Sequence, residues 1–374
     1  MKTKLLFLLF LASLSSFAQY TLIPDVNFEQ KLIDLGFDTD GINGKVLTSN
    51  VNTLTSLYVD KSSIQDLTGI QDFVDLETLI CNGNSLTALD LSSNAKLTYL
   101  NASSNKLASL NVTENTFLAD LICSSNKLTS LNIDNNTALI NLRCGNNLLT
   151  GLNVSNNTLL LYLVCNNNQI TSLNVSKNIA LDWLMFHYNK VKTIDISNNP
   201  ELTYFDCLFN ELTSIDISNN PKIFEVACEN NQLTYLNLKN GNNVNFDLFY
   251  SNFKNNPNLT CIQVDDNVYS DANWSFMKDA TATYSLGCPS LGITETVFDK
   301  ITVYPNPAKG ELHIDNSTLE KATIYDTLGR LITTTKFANG FNNNTINLAG
   351  FRSGIYYIYL ENEGATIVKK IIVE

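Results

Sequence analysis

An asparagine recurs every 21 residues along the middle of the chain, without an insertion or a deletion. A strict period of this length indicates a solenoid, in which each repeat forms one coil and only the stack of coils buries a core. This repeat restricts the fold more than any other feature, and it favours recognition over catalysis. The eight asparagines are Asn84, Asn105, Asn126, Asn147, Asn168, Asn189, Asn210 and Asn231.

Two further positions in each repeat are predicted to face the core. One stands five residues before each asparagine and the other three residues before it. Because strand side chains alternate between the two faces, this spacing predicts a short strand in every coil and a parallel sheet across the coils. A second apolar–polar–apolar segment, such as Ile194–Ile196, predicts another strand or an extended segment. The two columns are Leu79, Leu100, Leu121, Leu142, Leu163, Leu184, Phe205 and Val226, then Cys81, Ala102, Cys123, Cys144, Cys165, Phe186, Cys207 and Cys228.

The asparagine column has a structural explanation. Backbone groups that leave the sheet at a turn need hydrogen-bond partners when they are buried. An inward asparagine amide supplies two donors and an acceptor. We therefore expect each asparagine to bridge its own turn and that of the next coil.

The repeat motif resembles a known family. The pattern Leu-x-x-Leu-x-Cys-x-x-Asn-x-Leu-x-x-Leu-Asp/Asn-Leu-x-x-Asn-x-x, seen from Leu97 and again from Leu118, resembles bacterial leucine-rich repeats of the 21-residue IRREKO type. The resemblance covers residues 57–245 and implies a mainly β leucine-rich-repeat solenoid of parallel coils. Ala102 and Phe186 depart from the cysteine column, and the first coil, from Leu57 to Leu79, has 22 residues.

Caps are expected at both ends of the solenoid, because the terminal coils would otherwise expose core. In residues 19–56, Phe28, Leu32 and Leu35 recur at helical spacing and predict a short amphipathic helix. Residues 246–288 are predicted to form the other cap, with a final strand in 256–264 and a segment that folds back over the open edge.

The segment 38–44 is rich in Asp, Gly and Asn and resembles a calcium loop in composition. Ile42 and Ser49 stand where oxygen ligands would be needed. An ordinary turn, which uses the same residue types, is the favoured interpretation, with calcium binding left open.

Six of the eight cysteines lie in one inward column and are predicted to be small buried hydrophobic residues. Side chains on aligned parallel strands lie about 4.8 Å apart, which is wide for a disulfide. A straight row of thiolates does not converge tetrahedrally on an ion, so no metal site is expected. Cys261 and Cys288 lie outside the column, and we predict a disulfide between them that closes the C-terminal cap.

The N-terminus carries an export signal. Lys2 and Lys4 precede an apolar run over residues 5–14, and a small-residue cleavage site follows, with cleavage expected after Ala18. This run is too short to span a membrane, and no later run reaches 18 apolar residues. The net charge is −12, and loss of the two lysines leaves 22 basic against 36 acidic residues, or −14. Such a charge makes nucleic acid an unfavourable partner.

The character of the sequence changes after Cys288. Residues 289–297 are predicted to be a linker, and residues 298–374 contain about seven short alternating strands, which predict a small immunoglobulin-like β-sandwich. This region resembles the type A C-terminal sorting domain of the type IX secretion system of Bacteroidetes-type bacteria. The motifs that carry the resemblance are Val303–Pro307, Gly310-x-Leu312-x-Ile314, Ile324-Tyr325-Asp326-x-x-Gly329-Arg330, Gly354-Ile355-Tyr356 and Lys369–Val373.

The resemblance implies passage through the periplasm and across the outer membrane. In that family the sorting domain is usually removed, and the protein is then attached to surface lipopolysaccharide or released. The alternative interpretation of residues 298–374 is an ordinary immunoglobulin-like accessory domain.

The sequence gives little support for catalysis. It contains two histidines, His187 and His313, and lacks the G-x-S-x-G, H-E-x-x-H and P-loop motifs. No cofactor is expected, and an enzyme is not the favoured interpretation.

Three consecutive coils differ from the rest on the face of the sheet that is predicted to be concave and solvent-facing. Most coils place small polar residues there, whereas these three place aromatic and large side chains. One hypothesis is that the patch contacts a ligand, because such residues are enriched in binding hot spots. The other is that the aromatic columns stabilise the sheet by stacking across strands. The patch comprises Tyr162, Val164, Trp183, Met185, His187, Tyr188, Tyr204, Asp206, Leu208 and Phe209, with Phe224 just beyond.

Three functional classes follow from these observations. The favoured one is an exported surface protein that binds another protein or a glycan. The second is a glycan-capturing accessory of a polysaccharide-utilising system, and the third is a hydrolase that uses surface carboxylates. The sequence does not name the partner.

Overall fold

The computed structural model describes residues 19–288, 301–315, 319–337, 343–362 and 365–374. The predicted signal peptide and linker lie outside the described residues. Contacts divide the chain into two compact units, Met1–Cys288 and Pro289–Glu374.

The first unit begins with a cap made of a two-stranded antiparallel sheet and two short helices. The strands are β1 (Tyr20–Leu22) and β2 (Lys45–Leu47), and the helices are α1 (Val26–Asp34) and α2 (Thr48–Val51). Asp25 caps α1 by accepting hydrogen bonds from the backbone N–H groups of Asn27 and Phe28.

Phe28 and Leu32 of α1 are buried as predicted. Leu35 is not part of the buried face, because the helix ends before it and leaves its side chain exposed as the C-cap.

A nine-stranded parallel sheet runs through the solenoid. Each strand contributes three residues, and neighbouring strands pair in register, as Leu142 does with Leu163. The pairing of Leu57 with Leu79 confirms the 22-residue first coil. The strands are β3 (Ser56–Tyr58), β4 (Thr78–Ile80), β5 (Tyr99–Asn101), β6 (Asp120–Ile122), β7 (Asn141–Arg143), β8 (Tyr162–Val164), β9 (Trp183–Met185), β10 (Tyr204–Asp206) and β12 (Glu225–Ala227).

A second parallel sheet forms only in the last coils. It contains β11 (Ser214–Asp216), β13 (Tyr235–Asn237), β14 (Cys261–Gln263) and β15 (Thr283–Ser285). The prediction of a second strand or an extended segment is therefore met by a strand at Ser214–Asp216 and by an irregular extended segment in the earlier coils. In those coils an asparagine amide of the following coil donates a hydrogen bond to the carbonyl at the end of the segment, as Asn115 does to Leu91.

Both predicted core columns are fully buried and belong to one continuous cluster that runs from the N-terminal cap to Tyr284. The six cysteines of the column are buried free thiols. Burial raises the pKa of the Cys81, Cys123 and Cys165 thiols to about 12, because the apolar core disfavours a thiolate. These side chains therefore act as small hydrophobic residues.

The predicted asparagine column forms a ladder of hydrogen bonds. Asn147 donates from its amide to the carbonyls of Cys144 at 3.0 Å and Cys123 at 3.1 Å, and its Oδ1 accepts from the N–H of Leu128 at 3.0 Å. Cys123 and Leu128 belong to the preceding coil. The expectation of a bridge to the next coil was wrong in direction, because the side chain points back along the solenoid.

A second asparagine ladder lies at the opposite turn. Asn94 donates to the carbonyls of Ile70 and Phe73, each at 2.9 Å, and the same pattern repeats in later coils. The sequence motif included this asparagine, but no role was assigned to it. The members are Asn94, Asn115, Asn136, Asn157, Asn178, Asn199 and Asn220, and all are at most 1% exposed.

The C-terminal cap continues the solenoid with longer coils. Asn256 extends the first ladder, donating to the carbonyls of Cys228 and Phe253. Helix α3 (Asn267–Asn273) then places Trp274 in the core beside Phe246. A disulfide joins Cys261, on β14, to Cys288.

The second unit is a small two-sheet β domain with its own core, in agreement with the predicted sandwich. One sheet contains β16 (Thr302–Tyr304), β17 (Glu311–Asp315) and β20 (Asn343–Asn347), and the other contains β18 (Lys321–Asp326), β19 (Leu331–Lys336), β21 (Gly354–Asn362) and β22 (Ala365–Val373). Leu312, Ile324, Ile358 and Leu360 are among the residues buried between them.

Candidate binding surface on the nine-stranded sheet

The outward face of the nine-stranded sheet carries the predicted patch on β8, β9 and β10 and in the turns that follow these strands, with Phe224 directly before β12. Most of its members are half-buried, because each side chain is flanked by the equivalent residue of the adjacent coil. Tyr188, Phe209 and Phe224 are the most open, at 46%, 41% and 39% exposure. We call the predicted set the aromatic patch.

The first pair of rings in the patch is on the strands themselves. Trp183 and Tyr204 are register partners on β9 and β10, and their rings stack at a centroid distance of 3.8 Å and an interplanar angle of 9°. Tyr162 precedes them in the same column on β8, and Glu225 follows on β12. The stack covers one face of each ring.

The second pair of rings lies in the turns after β9 and β10. Tyr188 and Phe209 stack at 4.4 Å with an angle of 10°. Both residues have left-handed backbone conformations, with φ of 53° and 50°. This region of backbone space is unfavourable for a bulky side chain. At the same position most other coils have residues that tolerate it better or are small, namely Gly83, Ser104, Ser125, Asn146, Asn167 and Asn230, whereas the first coil has Lys61, with φ of 48°.

A histidine and an acid lie between the two pairs of rings. The Nδ1 atom of His187 is 2.7 Å from Oδ2 of Asp206, and the N–H of Leu208 donates to Oδ1 of Asp206. Asp206 is only 4% exposed, so the prediction that it faces solvent was wrong. Its carboxylate is buried by its contacts with His187 and with the backbone N–H of Leu208.

Two further acids, which the sequence reasoning missed, lie on the next coil. Glu225 is 7% exposed, and its pKa is raised to about 7, chiefly by burial and further by the charges of Asp247 and Asp206, while a hydrogen bond with Tyr204 opposes the shift. The pKa of Glu229 is also raised by burial. The Oε2 atom of Glu229 is buried and has no hydrogen-bond partner in the described structure.

These acids are covered by a segment of the C-terminal cap. Residues 247–252 pair alongside β12, where Asp247 N–H donates to Phe224 and Asn252 N–H donates to Val226. The segment presents Phe249 at 85% exposure and Tyr250 at 57% exposure beside the aromatic patch. Sequence reasoning missed this segment because the 21-residue phase fades after Leu238, and for the acids the available signal was Glu225 at an outward position of β12.

No group of three or more His, Cys, Asp or Glu in the described parts of the chain has an arrangement that could hold a metal ion. The turn at 38–44 is stabilised by a buried carboxylate of the protein itself. Oε1 of Glu29 accepts hydrogen bonds from the backbone N–H groups of Asn43, Gly44 and Lys45. This contact gives Glu29, which is 1% exposed, a structural role.

Comparisons with known proteins agree with this architecture. Residues 302–374 match the family of secretion system C-terminal sorting domains. A stretch of 74 residues is 43% identical to internalin J of Listeria monocytogenes serotype 4b (strain F2365), and it spans 19% of this chain and 8% of that protein.

Two solved structures share the fold. The functional domain of InlJ from Listeria monocytogenes, described as including a cysteine ladder, aligns with a TM-score of 0.51 and 23% identity over 96% of this chain and 99% of its own. Internalin C2 of the same species aligns with a TM-score of 0.53 and 22% identity over 57% of this chain and 99% of its own.

The chain is thus a leucine-rich-repeat protein with a 21-residue repeat, and its C-terminal residues form a secretion-system sorting domain. None of the helices that the structure describes is long and apolar enough to cross a membrane.

Proposed function

We propose that this protein is an exported leucine-rich-repeat binding protein that uses the aromatic patch to hold a protein partner at or beyond the cell surface. The repeats supply a rigid sheet, and the patch supplies the contact residues. The sorting domain supplies the route out of the cell.

The backbone conformation of Tyr188 and Phe209 carries the proposal. Left-handed backbone is costly for a bulky side chain, and such strain persists mainly where function requires it. Asn146 and Asn167 occupy the same position in the two preceding coils, so the fold has a less strained solution available. Two consecutive aromatic residues at this position therefore favour ligand contact over stabilisation of the sheet.

The composition of the surface also supports a protein partner. Trp and Tyr are enriched in protein-binding hot spots, and here they are flanked by the exposed Phe249 and Tyr250. Large exposed aromatic patches on secreted proteins indicate interaction sites.

A glycan partner is the alternative, and the stacking geometry weighs against it. A sugar ring packs on an open aromatic face, whereas Trp183 and Tyr204 cover one face of each other, as do Tyr188 and Phe209. We therefore favour a protein.

Pull-down with the chain that begins at Gln19 tests this choice. Extracts of surface and environmental proteins and a glycan array are probed in parallel with the variant Tyr188→Asn/Phe209→Asn. The matched control is Ser104→Asn/Ser125→Asn, which changes the same position in two coils outside the patch. Protein capture that the patch variant loses and the control keeps supports the proposal. Glycan binding without protein capture overturns it.

We propose that export follows two steps, removal of the signal peptide after Ala18 and passage across the outer membrane directed by residues 298–374. A chain that lacks residues 298–374 is expected to accumulate in the periplasm as folded solenoid, because the solenoid has its own core. Appearance of that shortened chain outside the cell would contradict the proposed route.

A further inference from the structure

The turn between α1 and β2 brings two acidic side chains against each other. The side chains of Asp38 and Asp40 interact directly, and the charge of Glu29 also acts on Asp38. Two ionised carboxylates in contact repel each other, so such a pair needs a proton or a cation between them. Glu29 itself is satisfied, because three backbone N–H groups donate to its Oε1 atom.

Asp38 is the buried member of this pair. It is 3% exposed, and its Oδ1 atom accepts a hydrogen bond of 3.3 Å from the backbone N–H of Asp40. Its Oδ2 atom is buried and has no hydrogen-bond donor among the described residues. A carboxylate oxygen that is withdrawn from water is costly unless a donor or a positive charge meets it. A positive charge beside this oxygen and the second carboxylate is therefore strongly favourable.

The nearest ammonium group of the protein is engaged elsewhere. Lys45 acts on Asp40 electrostatically, but its Nζ atom lies over the ring of Tyr20, 4.2 Å from the ring centroid. The ion pairs found in the described part of the chain include neither Lys45 nor the two aspartates. Asp40 is exposed, so an ion from solution can approach the pair from its side.

Calcium suits these donors better than magnesium. Calcium takes about six to eight oxygen ligands from carboxylates, backbone carbonyls and water, in a flexible geometry. The backbone carbonyls of Thr39, Asp40 and Gly41 accept no backbone hydrogen bond within residues 19–288, so they are available as further ligands. Magnesium gives up its bound water reluctantly, whereas the Oδ2 atom of Asp38 is shielded from water.

We propose that the turn at 38–44 binds one calcium ion through the carboxylates of Asp38 and Asp40, with backbone carbonyls and water as the other ligands. The ligand set differs from that of an EF-hand loop, in which Ile42 and Ser49 would have to supply oxygens. The ion links the end of α1 to the start of β2 and so stabilises the N-terminal cap. This inference is independent of the proposed function, which concerns the aromatic patch.

The test uses the chain that begins at Gln19, freed of divalent ions with a chelator and then titrated with calcium chloride. Isothermal titration calorimetry should give one site per chain, with a dissociation constant on the order of 0.1–1 mM, as in extracellular calcium modules. The melting temperature in about 10 mM calcium should exceed that in chelator, because the ion binds only the folded turn. Magnesium at the same concentration should have little effect.

Variants connect the effect to the two aspartates. Asp38→Asn/Asp40→Asn removes both charges and keeps the shapes of the side chains. This variant should bind no calcium, and in chelator it should melt at or above the temperature of the unmodified protein, because the repulsion is gone. Glu77→Gln/Glu114→Gln, which removes two exposed charges elsewhere, should respond to calcium as the unmodified protein does.

The outcomes are distinct. A calcium response that the aspartate variant loses and the glutamate variant keeps supports the proposal. Absence of both heat and a shift in melting temperature would mean that a proton bridges the two carboxyl groups, and it overturns the proposal. An equal response to magnesium, or a calcium response that survives Asp38→Asn/Asp40→Asn, also overturns it. None of these results bears on the aromatic patch, which partner capture tests.

Discussion

Single asparagine side chains hold the coils of this protein together. In each coil one amide joins the backbone of its own turn to that of the preceding coil, so a side chain performs the work that a strand ladder does elsewhere. Because these amides are buried, their loss leaves backbone groups without partners instead of returning them to water.

We predict that Asn147→Ala lowers the free energy of unfolding by at least about 2 kcal/mol, since three buried backbone groups lose a partner. Asn135→Ala is the control, because Asn135 is exposed and makes one long hydrogen bond, 3.3 Å, to Thr113. Urea denaturation of both variants measures the difference. Equal effects of the two substitutions would refute the structural role of the ladder.

The raised pKa of Glu225 predicts that the stability of the protein depends on pH. Its pKa lies at about 7 in the folded protein against an ordinary value of 4.5, so the folded state binds the proton more tightly than the unfolded state. The associated stability is present below pH 4.5 and is lost as the pH rises through 7. Glu225→Gln removes this dependence.

We therefore expect the stability of Glu225→Gln, relative to the unmodified protein, to increase as the pH rises from 4.5 to about 7, the interval between these two pKa values. Urea denaturation at several pH values gives the comparison, with Glu114→Gln as the exposed control. If the free energy of unfolding depends on pH in the same way for Glu225→Gln and the unmodified protein, burial does not perturb the pKa of this carboxyl.

At the scale of secondary structure, the 21-residue period was sufficient to predict the strands and the buried columns. The burial of Asp206 was not predicted, because it depends on a contact with His187 of the preceding coil. The covering segment at 247–252 was also missed. Its position depends on backbone pairing with Phe224 and Val226, which no local sequence pattern predicts.

The C-terminal cap is the element that a disulfide closes. Cys261 and Cys288 are 27 residues apart, and a loop of this length is worth about 3–4 kcal/mol in chain entropy. We expect reductant to lower the melting temperature of the protein but to leave Cys261→Ala/Cys288→Ala unaffected. An equal loss in both proteins would assign the effect to another part of the chain.

At the scale of the whole molecule, the proposed function assigns binding to the first unit and export to the second. Both units were predictable from the sequence. The first has a repeating motif, and the second has motifs in the order that a known family shares. The binding partner was not predictable, since recognition depends on side chains from several coils and from the cap. The structure adds the exposed Phe249 and Tyr250 to the surface where that partner is expected to bind.

The most direct test of the account is the unfolding free energy of Tyr188→Asn/Phe209→Asn, measured beside partner capture. Relief of left-handed strain offsets the lost ring stacking, so we predict a change in stability within about 1 kcal/mol together with loss of capture. A loss of several kcal/mol with capture retained would contradict the account, since it would mean that the rings stabilise the sheet and do not contact a ligand.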